Sequence, residues 1–386
     1  MQFLDKFRRI TTSGDYFPEI DGLRFIAIFT VVLFHLTASV KYPEPLIDNK
    51  SVLPILTNIF HNGWQGVELF FAISGFIIGL PFAKQYINGG KQVKLKAYFL
   101  RRLTRLEPPY LIMIVLFFFI LVFTGQASFS QKLPSLLASM IYMNNLIFNN
   151  MQGLVVSVIW SLEIEVQFYC LAVLFSKVFM LPKIARRLTI LVVIYGFPIL
   201  QYFYYPDVKS IYLYLQFFFI GFLLADLYID EKKLKVQNIF SIILGFFTLG
   251  ILLYINHSLT ILTGYTYITS MIVFYYLVMN NAFWKKVMST KWVATIGGMC
   301  YTIYLLHGTI ILSFSRHAYL FRISDYYLPN LFFNGLILIP LILIFSGLYF
   351  RLIEKPCMDK TWPIKLKAYV IKLFSKKVAA EAESKV

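Results

Sequence analysis

The sequence predicts an all-α protein, a membrane bundle of about ten spanning helices. Hydrophobic residues make up 59% of the 386-residue chain, and the mean hydropathy is +0.69. Charged residues make up only 14%, whereas soluble domains typically carry about 25%. Long apolar segments separated by short polar loops complete the pattern that is typical of a polytopic membrane protein.

Ten segments have about the 17–25 apolar residues that a membrane-spanning helix needs. Asp21 is predicted to cap the first helix, with Pro18 just upstream. No apolar run with a small-residue cleavage site precedes this helix, which is therefore expected to act as an uncleaved signal. The segment 133–150 is short and rich in Asn, which indicates a re-entrant or interfacial helix. The predicted spans are 22–41, 66–84, 107–125, 156–179, 188–205, 209–228, 237–255, 260–280, 294–315 and 330–351.

Basic residues predict the orientation of the bundle. Ten spans put both termini on one side, and all but six of the 36 Lys and Arg residues lie on that side. Both termini are therefore expected in the cytoplasm. The net charge of +17 is interpreted as a topology signal, so no nucleic-acid partner is predicted. The exceptions on the outer side are Lys41, Lys50, Lys132, Lys209, Arg316 and Arg322.

Three regions follow from this organisation. Residues 1–20 form a cytoplasmic N-terminal arm, 21–356 the membrane domain, and 357–386 a basic cytoplasmic tail. Within the tail, TWPIKLKAYVIKLFSKK alternates apolar and basic residues, which indicates an amphipathic helix on the inner leaflet.

Arg24 and His35 are the most informative pair of residues. They lie eleven residues apart in an apolar stretch, which is three helical turns plus roughly 20°, so both side chains share one helix face. Along the axis they are about 16 Å apart, with Arg24 at one rim of the membrane and His35 near the middle. A titratable imidazole at that depth is a functional candidate, and a hydrogen-bonded histidine of the bundle core is the alternative.

A second basic cluster, Arg101, Arg102 and Arg105, lies on the same inner side. Arg102 and Arg105 are three residues apart, so on a helix they share a face and could clamp a phosphate. The alternative is an anchor for the third helix. The use of Arg favours phosphate binding, since Lys dominates the rest of this loop and Arg binds phosphate in a bidentate manner.

Acidic residues are rare within the apolar segments. Glu68 opens the second predicted helix, and Glu163 and Glu165 open the fourth, all near the depth of His35. Glu163 and Glu165 are about 200° apart on a helix, so they cannot face one pocket. Such residues normally face a bundle interior or a polar cavity, and residence at the outer interface is the alternative. His307 ends the string CYTIYLLH, and a packed, hydrogen-bonded histidine is the preferred interpretation there.

Several familiar site types are missing from the sequence. The three cysteines are widely spaced, which indicates neither a disulfide framework nor a metal knuckle. No HExxH, Walker loop, GxGxxG or GxSxG motif is found, so zinc protease, nucleotide-hydrolysing, nucleotide-dependent oxidoreductase and serine hydrolase functions lose support.

Six strings in order resemble the acyltransferase-3 family of integral membrane acyltransferases. They are DGLR followed by His35, GVELFFAISGFII (66–78), RRLTRLEPPY (101–110), WSLEIEVQFY (160–169), YTIYLLH (301–307) and RLIEKP (351–356). The resemblance covers about residues 18–356 and implies an enzyme of the bacterial cytoplasmic membrane that O-acylates surface polysaccharides or related molecules. It also implies an acyl-CoA donor, usually acetyl-CoA, that arrives from the cytoplasm, and no permanently bound cofactor or metal.

The resemblance assigns roles to individual residues. Arg24, Arg102 and Arg105, with Arg101 beside them, are expected to bind the coenzyme, and His35 is expected to be catalytic. Glu68 and Glu165 match the acidic positions of the second and fourth helices. The second-helix acid is commonly Asp, and Val166 stands where an adjacent acid is usual, which leaves the role of Glu163 open. Further candidates for the same pocket are Trp160, Ser161, Glu163, Gln167, Tyr169, Tyr301 and His307.

His35 could deprotonate a sugar hydroxyl for direct attack on the thioester, or could carry the acyl group itself. Glu165 or Glu68 could hold the imidazole tautomer. Some family members carry an extracytoplasmic hydrolase-like domain, and this chain is expected to act alone or with a separate partner. The alternative function is transport or export of a lipid-linked or extracellular glycan without acyl transfer, but such an exporter would not need the arginines.

Overall fold

Seventeen α-helices make up the part of the chain that the structure describes. The computed structural model covers residues 2–10, 16–40, 46, 54–148, 155–230, 236–359 and 361–364. A π-helical turn, Phe350–Glu354, joins the last two helices. The part of the predicted amphipathic tail segment that follows residue 364 lies outside the described residues. In order, the helices are α1 Gln2–Asp5, α2 Pro18–Leu36, α3 Pro54–Asn62, α4 Gly66–Asn88, α5 Leu95–Phe123, α6 Phe129–Met140, α7 Asn144–Phe148, α8 Trp160–Phe175, α9 Lys183–Phe203, α10 Ile211–Asp230, α11 Ile239–Tyr254, α12 Ile261–Asn280, α13 Ala282–Met288, α14 Lys291–Gly298, α15 Cys300–Ser315, α16 Tyr327–Tyr349 and α17 Lys355–Cys357.

The all-α prediction is confirmed, and the helix composition is that of a multi-pass membrane protein. Seven helical stretches of the described chain are long and apolar enough to cross a membrane, and α14 with α15 makes an eighth if the bent pair counts as one span. The predicted spans 156–179 and 237–255 instead contain the 16-residue helices α8 and α11. Such helices are about 24 Å long, shorter than the roughly 30 Å of a hydrocarbon core.

The first spanning helix begins earlier than predicted. Pro18 is the first residue of α2, where its missing N–H costs nothing, and Phe17 takes the cap position. The prediction of Asp21 as the N-cap is therefore wrong. Asp21 lies within the first turn, where its carboxylate is free to bind other side chains.

Helix α5 also begins well before the predicted residue 107. It starts at Leu95 and carries Pro108 and Pro109 in its interior, so the basic cluster 101–105 is helical. Pro108 has no N–H for the carbonyl of Thr104, four residues earlier. That carbonyl instead accepts a hydrogen bond from Nε1 of Trp362, at 2.9 Å. A donor far along the chain thus compensates for the proline inside the helix.

The predicted helix 294–315 is broken. Helices α14 and α15 meet at Met299 and differ in direction by 70°. Gly297 explains the packing of α14, since a Cβ there would lie 1.7 Å from the carbonyl oxygen of Asp21. Helix α14 therefore contacts the backbone near the start of α2. After the bend, α15 runs beside α2.

Close approach of α4 and α10 forms the centre of the bundle. A Cβ on Gly221 of α10 would lie 2.2 Å from both the carbonyl oxygen of Ala72 and the amide nitrogen of Phe76. Gly75 of α4 faces α10 in return, where a Cβ would lie 2.1 Å from the carbonyl oxygen of Phe218. Two glycines therefore allow the backbones of these helices to touch.

We expect Gly221→Ala to destabilise the protein by about 1–3 kcal/mol, because the new methyl group meets backbone atoms that cannot move aside. Gly250→Ala is the matched control, since a Cβ there has no atom within 4 Å. The control should leave stability unchanged or raise it by up to about 1 kcal/mol, through better helix propensity. Thermal unfolding in detergent measures both, and equal midpoints for the two variants would contradict this packing.

Candidate functional site

The two ends of α2 lie in different polar environments. At the start of the helix, Asp21 Oδ1 accepts hydrogen bonds from Arg24 at 2.6 Å and from Arg9 at 3.1 Å. At the other end, His35 is part-exposed and faces α15. The predicted separation of an arginine end and a histidine end on one helix is therefore present in the structure.

Arg9, Arg24 and Arg105 form a cluster of guanidinium groups at the arginine end, which we call the arginine cluster. Arg9 lies within electrostatic range of both other members. Burial lowers the pKa of Arg9 to about 9, with a further contribution from the positive charge of Arg24, while Asp21 opposes the shift. The buried carboxylate of Glu354, in the string RLIEKP, lies within electrostatic range of Arg105 and Arg9.

Arg9 was missed by the sequence analysis, which placed it in an arm that only marks topology. Its signal was weak because it stands beside Arg8 in a short polar stretch. The unpaired acid Asp21 at the predicted inner rim is the one feature that could have suggested a basic partner from the arm.

The structure separates the three arginines of the predicted basic cluster. Arg105 joins Arg9, whereas Arg102 lies over the ring of Tyr98 at 3.9 Å and near that of Tyr169 at 5.4 Å. Arg101 is exposed. Arg102 and Arg105 therefore occupy neighbouring but different surroundings on α5.

His35 and His307 are in direct contact. Their ring centroids are 4.8 Å apart, the planes are almost perpendicular, and Nε2 of His307 lies 3.3 Å from Nδ1 of His35. His307 is fully buried, as its interpretation as a packed histidine requires. It is nevertheless also the closest polar partner of His35 among the described side chains.

The backbone determines the tautomers of this histidine pair. Nδ1 of His307 lies 2.8 Å from the carbonyl oxygen of Tyr304, and Nδ1 of His35 lies 2.9 Å from that of Val31. A carbonyl oxygen only accepts hydrogen bonds, so in the neutral rings both Nδ1 atoms carry the proton. The one Nδ1–H of His35 is then shared between the Val31 carbonyl and, at the longer distance of 3.3 Å, Nε2 of His307, and the lone pair of His35 lies on its own Nε2. Among the described residues nothing is hydrogen-bonded to this Nε2 atom.

The two predicted acidic partners of His35 lie elsewhere. Glu165 accepts hydrogen bonds from Ser74 and, at 2.5 Å, from the hydroxyl of Tyr169. Glu68 is paired with Nε2 of His257 at 2.6 Å. The expectation that Glu165 or Glu68 holds the tautomer of His35 is therefore not met, since His307 occupies that place.

His257 lies between α11 and α12 and is a further polar residue near Glu68. In the structure it reaches Glu68 between the rings of Trp64 and Tyr267, with centroid distances of 5.2 and 4.9 Å. Its own backbone N–H donates to Oε1 of Gln65. A lone polar residue after an apolar helix gives no sequence signal for such a contact.

Glu163 has a separate environment, as its 200° angular offset from Glu165 predicted. Its Oε2 atom accepts a hydrogen bond from the backbone N–H of Asn145 at 2.7 Å, and the N–H of Asn144 also contributes. These two residues begin α7. The buried Glu163 carboxylate therefore caps a short helix within the predicted segment 133–150, which in the structure comprises part of α6 and the whole of α7.

The remaining predicted pocket residues lie on α8 and α15. Ser161 and Tyr304 share a 2.6 Å hydrogen bond, and Tyr304 lies beside His307. Trp160 packs at 5.5 Å from Tyr214. Other contacts tie helices together: Oε1 of Gln167 accepts from the N–H of Ile211, and Tyr301 donates to the carbonyl of Leu106 at 2.8 Å.

We expect Glu163→Ala to destabilise the protein by about 0.5–2 kcal/mol, the usual cost of removing a helix cap. Glu163→Gln keeps an acceptor oxygen and should lose less. Thermal unfolding in detergent gives the comparison, and the same midpoint for wild type and both variants would contradict the capping role.

The chain is similar to bacterial O-acetyltransferases over most of its length. A candidate O-acetyltransferase of Staphylococcus aureus strain COL is 28% identical over 376 residues, which covers 88% of this chain and 57% of the relative. O-acetyltransferase OatA of strain NCTC 8325 is 26% identical over 380 residues, with 90% and 58% covered. The chain thus spans somewhat more than half the length of these relatives. No solved structure matches.

The region of the chain that matches a known protein family includes both ends of α2 and the histidine pair. Acyl_transf_3, described as an acyltransferase domain, matches residues 17–351. This range contains Arg24, Arg105, His35 and His307, although Arg9 precedes it. The match covers most of the chain, which therefore belongs to the acyltransferase-3 family of membrane proteins.

Proposed function

We propose that the protein is a membrane O-acyltransferase that moves an acyl group, in the first instance acetyl, from acyl-CoA to a hydroxyl of a surface glycan. The observation that carries the proposal is the histidine pair, in which His35 presents an unpaired Nε2 lone pair on the helix that also carries Arg24 of the arginine cluster. The named O-acetyltransferases among its relatives support the acyl group and the reaction type.

The arginine end of α2 is the proposed site for the coenzyme's phosphate groups. Arginine binds phosphate through parallel N–H donors, and burial strengthens such charge-assisted hydrogen bonds. The concentration of basic residues in the loops on this side supports a cytoplasmic position. The pantetheine arm would then extend along α2, since Arg24 and His35 are about 16 Å apart along the helix axis.

The chemistry proposed for His35 begins at Nε2. In direct transfer, Nε2 takes the proton of the acceptor hydroxyl while the hydroxyl oxygen forms a bond to the thioester carbonyl carbon. The C–S bond then breaks, and the coenzyme thiolate leaves with the proton from the imidazolium. In the alternative, Nε2 itself bonds to the carbonyl carbon and the thiolate leaves. The acceptor hydroxyl then attacks the acyl carbon, the bond between that carbon and Nε2 breaks, and the hydroxyl proton passes through the freed Nε2 to the thiolate.

His307 is the proposed positioning residue for His35. When His35 becomes an imidazolium, its Nδ1–H is a stronger donor to Nε2 of His307 than in the neutral state. Glu165 has a different proposed role, because it holds Tyr169, whose ring lies near Arg102 on the donor side. Glu68 is proposed to hold His257, and neither acid takes a proton in this scheme.

The acceptor is proposed to be a polysaccharide or lipid-linked glycan reached from the extracytoplasmic side of a bacterial cytoplasmic membrane. The proposed topology has ten membrane-crossing elements, with α8 and α11 as the short ones and both termini in the cytoplasm. A separate extracytoplasmic protein is a further proposed partner.

We expect His35→Ala to lower acyl transfer by a factor of about 10² to 10⁴, the usual contribution of a general base. His61→Ala is the matched control, because Nδ1 of His61 also bonds the carbonyl four residues earlier, yet His61 stacks on Tyr327. Cells that lack the protein are complemented with each variant, and mass spectrometry measures acyl groups on their surface glycans.

Two results would contradict the enzyme proposal. One is full acylation by folded, inserted His35→Ala protein. The other is glycan accumulation inside deletion cells with unchanged acylation of the exported fraction, which would identify a transporter. Addition of labelled acyl donor to the purified protein without acceptor separates the two chemical routes, since only the second leaves label on His35.

We expect His307→Phe to lower kcat by about 10- to 100-fold, because a hydrogen bond to a charged group contributes about 1.5–3 kcal/mol. KM for acetyl-CoA should change little. His307→Gln restores an acceptor atom and should recover part of the loss. Unchanged kcat in His307→Phe, or equal losses in both variants, would show that His307 only fills space.

A further inference from the structure

The N-terminal arm packs across the end of the bundle at which the arginine cluster lies. Lys355 donates to the carbonyl of Lys6 at 2.7 Å, and Lys291 is paired with Asp5 at 3.1 Å. Phe7 packs against Gly347 of α16, where a Cβ would meet its ring at 3.2 Å. These contacts from α14, α16 and α17 hold the arm before Arg9 in place.

Arg9 is directed from this arm into the bundle. Its side-chain stem passes Gly298 at the α14–α15 break, 3.7 Å from the position of a Cβ there. One terminal nitrogen donates to Asp21, but the buried Nε donates to no described atom. By contrast, the neighbouring Arg8 is exposed and lies over the ring of Tyr16 at 4.7 Å.

The arginine cluster carries more positive charge than its acids balance. Three guanidinium groups face two carboxylates, Asp21 and Glu354. Asp21 accepts from Arg9 and Arg24 through Oδ1, while its Oδ2, Oε1 of Glu354 and the Nε atoms of Arg9 and Arg105 are buried without a hydrogen-bond partner among the described residues. Buried donors without acceptors are costly, and an anion in the cluster would satisfy the two Nε groups and balance the excess charge.

The start of α15 adds to the positive potential. Its first residue, Cys300, lies within electrostatic range of both Arg24 and Arg9. The N-terminus of a 16-residue helix carries a partial positive charge, which favours an anion nearby. His307 lies on this same helix, about 10 Å along its axis, so α15 leads from the anion-binding end to the histidine pair.

We propose that Arg9 is a phosphate-binding residue of the donor site and that the N-terminal arm completes this site. The ligand group is a phosphate of the nucleotide half of the coenzyme, bound jointly by Arg9, Arg24 and Arg105. This inference depends on the proposed function, which names an acyl-CoA donor but no residue from the arm.

Calorimetric titration of the purified full chain with CoA and with adenosine 3′,5′-bisphosphate tests the proposal. Arg9→Gln should raise the Kd of both ligands about tenfold, because a charged hydrogen bond to phosphate is lost. Arg8→Gln is the matched control and should leave both values unchanged. Arg9→Lys keeps the charge without the planar fork and should give intermediate values.

Two outcomes would overturn the role of Arg9. Both Kd values could remain within twofold of wild type in Arg9→Gln while Arg24→Gln weakens binding. Alternatively, Arg9→Gln and Arg9→Lys could both lower the number of sites per molecule at unchanged Kd, which would make the arm a structural support only. Failure of the proposed function is a different result: wild-type protein that binds no CoA, or that binds CoA and transfers no acyl group.

Discussion

The packing of α2 against α14 and α15 is the constraint on which the site depends. Gly22 allows α2 to approach Met288 just before α14, and Gly297 allows α14 to touch the backbone at Asp21. A helix is stiff over its length, so contact near the start of α2 also determines where its far end lies. Arg24 and the histidine pair are thus positioned by one interface between the N-terminal and C-terminal parts of the chain.

Much of this site could be predicted from periodicity and charge. Spacing alone placed Arg24 and His35 on one helix face, and the angular offset separated Glu163 from Glu165. The partner of His35 could not be predicted in this way, since His307 is 272 residues away and their contact depends on how α2 and α15 pack. Carboxylates are the common partners of catalytic histidines, which is why Glu68 and Glu165 were expected there.

Tertiary contacts explain why several helix boundaries could not be predicted. The third span was predicted from residue 107, yet α5 begins at Leu95 and continues through Pro108, where Trp362 satisfies the carbonyl that this proline leaves free. In the same way, Gln65 donates to the carbonyl of Ile255 at the end of α11. Side chains from distant segments therefore satisfy irregular backbone inside the bundle, where water is scarce.

The identity of the partner of His35 has an electrostatic consequence. A carboxylate in its place would carry a permanent negative charge, whose solvation is costly in a medium of low dielectric constant. Two neutral imidazoles carry no net charge at rest, so the bundle bears the cost of a charge only while the pair holds an extra proton. In the proposed reaction, that extra proton passes from the pair to the departing thiolate. Charge separation in this part of the molecule would thus be confined to the lifetime of the reaction.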